Sequence, residues 1–387
     1  MNIPSPPNDA FDTDVLIVGA GPTGLTLATA LARRGVPVVL IDRLREGHNT
    51  SRAAVVHART LEVLEPLGVT AALVQRGLHA GRFTVRDRDQ VLVPIAFDDL
   101  PTRYPYTLMV SQAVTEQVLL ERLMQLGGRV LRPRALLGLA QDAHGAIAEL
   151  DDGSRLRARY VVGCDGMHSV VRERAGIAFS GGSYGESFLL ADVRLHGAAP
   201  RDEVVLFFSP GGMLVLAPLP DGVHRIVAPV DAAPEQPSVG DLQALLDARG
   251  PRHERVQVTE VLWGSRFRVH HRVADRYRVG RVLLAGDAAH VHSPAGGQGM
   301  NVGMLDAMAL ASALGRALAG DDGALDAYGA ERRPVAQQVV AFADVLTRLA
   351  TVRPALRGLR NAMLRALSRL PAFRGRLAWR LSGLAYR

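Results

Sequence analysis

The sequence predicts an α/β chain: a discontinuous Rossmann-like nucleotide-binding body, an antiparallel sheet inserted into it, and helices at the C-terminal end. Three observations carry this expectation. A strand, a glycine loop, a helix and a second strand follow one another within the first 42 residues. Runs such as Glu203-Val-Val-Leu-Phe-Phe208, Met213-Leu-Val-Leu-Ala217 and His224-Arg-Ile-Val-Ala228 have the composition of an antiparallel sheet. A second strand, glycine loop and helix then return from Arg281 onward, so the nucleotide body is interrupted in sequence.

Asp14-Val-Leu-Ile-Val18 reads as a buried parallel strand, and Gly19-Ala-Gly-Pro-Thr-Gly24 follows at once. Leu25 to Arg34 keeps helical composition, Gly35 stops the helix, and Val36 to Ile41 forms a second strand closed by Asp42. This is a complete βαβ unit with a GxGxxG loop. Gly19 permits the turn, Gly21 admits a pyrophosphate close to the backbone, and Gly24 allows tight packing. The helix N-terminus offers free N–H groups to phosphates, and Asp42 is placed for the hydroxyls of an adenosine ribose. Residues 53–79 read as helices, residues 83–96 as strands, and Ser111 to Leu126 as a helix with a serine cap. Short strands around 130–150 carry turn signals at His144-Gly145 and Asp152-Gly153. Tyr160 to Arg172 is a strand running into Asp165-Gly166 and a helix. Arg281 to Asn301 is a strand ending in Gly286-Asp287, then a glycine-rich loop feeding a helix to about Ala319. A second helix N-terminus is thereby available to another part of the same ligand.

Composition narrows the function. The chain holds no lysine, so its 45 basic residues are all arginine, and nine of them fall in residues 351–387 without a single acid. Elsewhere 36 arginines face 38 acids, so the charge excess belongs to the tail and does not point to nucleic acid. The one cysteine, Cys164, excludes a disulfide scaffold and any cysteine-clustered metal site, and is expected to sit buried as a small hydrophobe. No histidine shows metal-ligand spacing. Residues 1–14 lack the order of a secretory signal, and no apolar run is long enough to span a bilayer. A cytoplasmic protein is expected.

The glycine fingerprint, the Asp165-Gly166 stretch and the Gly286-Asp287 stretch together resemble the three motifs of the single-component (class A) FAD-dependent aromatic hydroxylases, the para-hydroxybenzoate hydroxylase-like family. Ser51 to Glu62 is similar to the phenol and polyketide branch, and the resemblance covers residues 12–350. It implies an FAD-binding body at 12–80, 108–180 and 279–350, a substrate domain at 81–107 and 181–278, and basic C-terminal helices at 351–387. It implies FAD contacts at Gly19, Gly21, Pro22, Thr23 and Gly24 for the pyrophosphate and at Asp42 and Arg43 for the adenosine. Gln112 falls at the ribityl chain or pyrophosphate, and Gly286 with Asp287 at the ribityl or ribose hydroxyls. The backbone of Gly297, Gly299, Met300 and Asn301 falls at the isoalloxazine edge. Asp165, Gly166 and Arg172 match the motif tied to both FAD and NAD(P)H, with Asp165 open to a purely structural role. Arg52 falls near the flavin and nicotinamide path, and Pro294 on the flavin face beside the substrate. His57 or His292 is placed to assist proton movement.

The activity so implied is monooxygenation: NADPH or NADH reduces FAD, and O2 is carried as a flavin C4a-hydroperoxide to an aromatic or polyketide-type ring. Phe207, Phe208, Met213 and Leu216 are the pocket candidates. Only one nucleotide-binding unit is present, so nicotinamide binding is expected to be transient along a groove. An epoxidase, a Baeyer–Villiger enzyme or a reductase would use the same fold; a halogenase would need a lysine this chain lacks. A peripheral-membrane flavin- or lipid-binding protein is the alternative from another class. In the tail, Leu356, Leu359, Met363, Leu367 and Leu370, then Phe373, Leu377, Leu381 and Leu384, keep helical spacing among arginines. The first expectation is a helix pair packed on the FAD domain. The second is a segment lying weakly on an anionic membrane. Many such hydroxylases continue into a thioredoxin-like domain, which these 387 residues do not reach, so the relatives' dimer is not inferred.

Overall fold

The computed structural model describes residues 11–47, 53–230, 234–253 and 255–386. Its first sheet runs, in spatial order, β17 (Arg278–Val279), β18 (Val282–Leu284), β11 (Arg155–Gly163), β1 (Thr13–Val18), β2 (Val38–Ile41) and β8 (Val130–Leu131). From β18 to β8 the neighbours are parallel. The hairpin β9 (Leu136–Gln141) and β10 (Ala146–Leu150) extends β11 antiparallel. Val15, Leu16 and Ile17 are fully buried, as befits a parallel strand covered on both faces. Helix α1 (Pro22–Arg33) packs on α4 (Gln112–Gln125) and on α7 (Gly299–Leu318), the long helix after the second glycine loop. Ser111 caps α4 by accepting from Val114 N at 3.3 Å.

The second sheet runs β19 (His290–Val291), β16 (Val256–Ala274), β12 (Phe179–Gly197), β15 (Val223–Val230), β14 (Gly212–Pro218), β13 (Glu203–Ser209), β5 (Arg82–Asp87) and β6 (Gln90–Ala96). It is antiparallel except between β13 and β5. Strands β12 and β16 pair along almost their whole 19-residue lengths, from Phe179 opposite Ala274 to Gly197 opposite Val256. Helix α6 (Val239–Arg249) covers one face, sealing a core of Leu189, Phe207, Leu214, Leu216 and Ile226.

Two expectations change here. Residues 53–79 are not all helical: β3 (Val55–Val56) and β4 (Leu78–Ala80) flank β7 (Thr107–Met109) in a small sheet, with α2 (Ala58–Leu64) and α3 (Thr70–Arg76) between. Strands this short are set by their partner, not by local pattern. The tail packs not on the 279–350 stretch alone but also on the antiparallel sheet. Helix α8 (Gly323–Ala350) leads to α9 (Arg357–Ser368) and α10 (Pro371–Leu381), whose Leu364, Ala378 and Leu381 pack on Leu92, Ile95, Phe97, Phe208 and Met213 of the antiparallel sheet. The tail also touches the 279–350 stretch, through Phe342 and Ala350 of α8 in the same cluster and through Tyr386, which meets Val302 and Val339. Among the described residues no helix is long and apolar enough to cross a membrane.

Candidate functional site

The site grows from the carboxyl end of β1. Gly19 takes φ +102°, and a Cβ there would strike the Cys164 backbone at the end of β11. A Cβ on Gly24 would collide with the Gly19 carbonyl oxygen, whereas one on Gly21 would meet nothing within 4 Å. The loop is therefore tight where helix meets turn and open where a ligand would lie. Pro22 occupies the start of α1, which has neither a side-chain cap nor an acid in its first turn. Its leading N–H groups face outward without an intrahelical partner.

Asp42 brackets this loop: its oxygens accept from Ala20 N at 2.7 Å and Leu44 N at 2.8 Å. Arg43 is exposed beside it. Arg132 reaches the same place, donating to Ala20 O at 3.2 Å with its other contact 4.0 Å from Asp42. Gln112 donates to Glu116 at 2.8 Å, and burial pushes the Glu116 carboxyl upward against the pull of Gln112 and Arg132. Glu116 and Arg132 were not among the residues the sequence singled out. The available signal was a carboxylate on the apolar face of α4, four residues after Gln112.

The two later motifs meet at one arginine. Asp165 accepts from Ser169 Oγ at 2.5 Å and Val171 N at 3.2 Å, so its carboxylate starts the short helix α5 (Val170–Arg174). Arg172 donates to Ala288 O at 2.9 Å and to Met167 O at 2.8 Å, and lies 3.9 Å over the Phe179 ring. It thus pins the Asp165-Gly166 turn to the turn carrying Asp287. Asp287 is exposed within an otherwise buried run from Val282 to Val291. Gly286, at φ +61°, leaves room for Thr23 alone, and Thr23 Oγ1 also lies against Gly303 of α7. The Thr23 hydroxyl therefore joins the first glycine loop to the second motif.

The loop before α7 is held from behind. Gly296 and Gly297 take φ +84° and +63°, and Gly297 N closes a turn on Pro294 O at 2.9 Å. Asn301 accepts from His57 N at 2.8 Å and donates to Val55 O and Gly297 O, both at 2.9 Å. The His57 ring donates through Nε2 to Gly296 O at 3.0 Å, and burial depresses its pKa to about 4. His292, beside Gly299, is depressed to about 4 by the same cause. Neutral, buried rings of this kind suit anchoring rather than proton shuttling at neutral pH. Gln298 donates to Leu381 O at 3.2 Å and Ser382 O accepts from Arg59 N at 3.1 Å, so the end of the tail supports the loop. Helix α7, like α1, has no side-chain cap and no acid in its first turn, which comprises Gly299, Met300 and Asn301. Pro294 is half-buried in the loop. Arg52 lies outside the described residues.

The pocket candidates divide between the two faces of the second sheet. Phe208 and Met213 face the tail helices, whereas Phe207 and Leu216 point into the core under α6. Alternation along a strand makes this unavoidable for neighbours such as Phe207 and Phe208.

These features fit a long ligand that is anionic at its middle and polar at both ends. Two uncapped helix N-termini stand side by side, an open cradle lies at Gly21, and an exposed carboxylate stands at the junction. A family model described as "FAD binding domain" matches residues 12–343. Rifampicin monooxygenase of Streptomyces venezuelae is 38% identical over 366 residues, which is 90% of this chain and 74% of that protein. 6-Methylpretetramide 4-monooxygenase of Streptomyces rimosus is 41% identical over 362 residues, covering 90% of this chain and 64% of the relative. Among solved structures, anhydrotetracycline hydroxylase from Streptomyces rimosus superposes with a TM-score of 0.80 at 36% identity, covering 96% of this chain and 76% of the other. p-Nitrophenol 4-monooxygenase from Pseudomonas putida gives a TM-score of 0.84 at 25% identity, covering 97% and 98%.

Proposed function

The chain belongs to the family of single-component FAD-dependent aromatic hydroxylases, and from that premise we propose that it is an NAD(P)H-dependent monooxygenase of an aromatic or polycyclic, polyketide-type substrate. The pairing of the α1 and α7 N-termini through Thr23 carries this reading, because it offers one ligand both a phosphate cradle and a second positive end.

The residues divide the work along the ligand. The backbone of Gly19, Gly21, Pro22, Thr23 and Gly24 would hold the pyrophosphate, Asp42 and Arg43 the adenosine, and Gln112 the linking chain. Glu116 and Arg132 keep Asp42 and Gln112 in place. Asp287, with Gly286, would accept from the ribityl hydroxyls. Gly297 and the first-turn N–H groups of Gly299, Met300 and Asn301 would stabilise negative charge at the ring edge. FAD, when bound, supplies hydride acceptance from NAD(P)H and activation of O2 for transfer of one oxygen atom to the substrate. Pro294 and the apolar face of Phe188, Met213 and Val215 would keep bulk water from the reacting ring. We assign His57 to holding Gly296, and Arg52 to the nicotinamide path. Arg172 lies near Arg272, and His270 near Arg272, His168 and Arg268, between the Asp165-Gly166 turn and β16; burial first, and then these neighbours, lower the pKa of Arg172 and of His270. Such a patch suits the phosphates of a nicotinamide cofactor that binds only in passing. Consumption of NAD(P)H supports a cytoplasmic location. The three-part nucleotide body at 12–80, 108–180 and 279–350 belongs to the same proposal.

The test loads the protein with FAD and supplies NADPH or NADH, 18O2 and a panel of phenols and polycyclic aromatics. One 18O atom in a ring product per nicotinamide oxidised is expected. If a panel member that binds yields nicotinamide oxidation without labelled product, the protein is a reductase or oxidase instead.

A further inference from the structure

Helix α9 buries Arg360 and Asn361 together with Leu364, and leaves other apolar residues facing outward. Arg360, only 4% exposed, donates to Phe208 O at 2.7 Å and Leu349 O at 3.0 Å, and Asn361 donates to Asp87 at 2.6 Å. On the other side, Leu356, Leu359, Met363 and Leu370 are 48%, 70%, 44% and 54% exposed. Their spacing puts them on one stripe of the helix and its flanks. Single exposed leucines need no explanation, but a contiguous stripe does. Arg365 and Arg369 stand exposed alongside it, with Arg353, Arg374 and Arg376 exposed on the same tail. Residues 351–387 contain no acid, and among the described residues none of these five arginines forms an ion pair, so the surface sets apolar side chains beside positive charge.

We propose that this face of α9 docks on an anionic lipid bilayer. The leucine and methionine side chains would enter the boundary between headgroups and acyl chains, and the arginines would lie at the level of the phosphates. A second copy of the chain is a poorer occupant, because two such faces would set arginine against arginine. Binding is read without turnover, so its outcome is independent of the hydroxylase reaction.

The FAD-loaded full chain is floated with vesicles of phosphatidylcholine containing phosphatidylglycerol, and with vesicles of phosphatidylcholine alone. Partition onto the anionic vesicles is expected to exceed that onto neutral ones by about tenfold and to weaken with added salt. Leu359→Asp with Met363→Asp should abolish it while leaving the melting temperature and bound FAD unchanged. Arg365→Gln with Arg369→Gln should reduce it. Equal or absent partition, or a Leu359→Asp/Met363→Asp protein that binds like the parent, overturns the proposal. A dimer split by the same pair of substitutions, with no vesicle binding, gives the face to a second copy.

Discussion

Asn301 commits both ends of its side-chain amide to backbone groups of the loop and of β3. Asn301→Leu strands the His57 N–H and two carbonyls, and is expected to cost about 2–4 kcal/mol in urea unfolding of the apoprotein. A loss well under about 1 kcal/mol would show that the clamp is dispensable. The two buried histidines set a pH dependence. His57 and His292 stay neutral in the folded chain down to about pH 4, whereas the unfolded chain protonates them near 6.5. The unfolded state therefore binds more protons in that window, and stability is lost as pH falls through it, by about 3 kcal/mol per histidine. His57→Gln should flatten roughly half of the decline, and a parent profile that is level down to pH 4.5 would refute the assignment. The arginine patch predicts that Arg268→Glu raises the KM for NAD(P)H several-fold with little change in kcat; a kcat effect alone would remove it from the nicotinamide path.

At the scale of elements, the site depends on α1 and α7 touching. Gly303 leaves room for Thr23, so Gly303→Val forces the helices apart and should weaken FAD binding by about tenfold or more. Fluorescence titration of FAD into the apoprotein measures this; unchanged affinity would mean the two N-termini act independently. The role of Gly24 was legible because its partner, Gly19, sits in the same loop. Gly303 was not, because Thr23 lies at the far end of the chain. The tail shows the same limit. Helical spacing correctly announced two helices, but spacing cannot say which side of an amphipathic helix faces protein. Arg360 decides it by capping carbonyls of β13 and α8. Arg360→Ala should cost about 2–4 kcal/mol by leaving those carbonyls buried and unpaired, and should open residues 351–370 to limited proteolysis.

The proposed nucleotide site draws on three separated stretches of the whole molecule. A ligand that spans them binds only the folded state, so FAD at a hundredfold its dissociation constant should stabilise the protein by about 2.7 kcal/mol. Thermal melting with and without FAD reads this directly. Gly21→Glu fills the open cradle with a like charge and should erase the shift without lowering the apoprotein's own melting point. If that variant still gained stability from FAD, the pyrophosphate would lie elsewhere.

The chain's order of residues determined by itself the βαβ unit, the two later motifs, the antiparallel insert and the helical tail. Each is signalled by period, turn residues or spacing within a few dozen positions. Only the tertiary structure decided that Arg172 ties two motifs together, that Phe207 and Phe208 serve different cores, and that α9 leaves Leu359 and Met363 to solvent while burying Leu364. Those outcomes depend on which distant surface arrives opposite a side chain, and burial against a partner far along the chain leaves no local pattern to read.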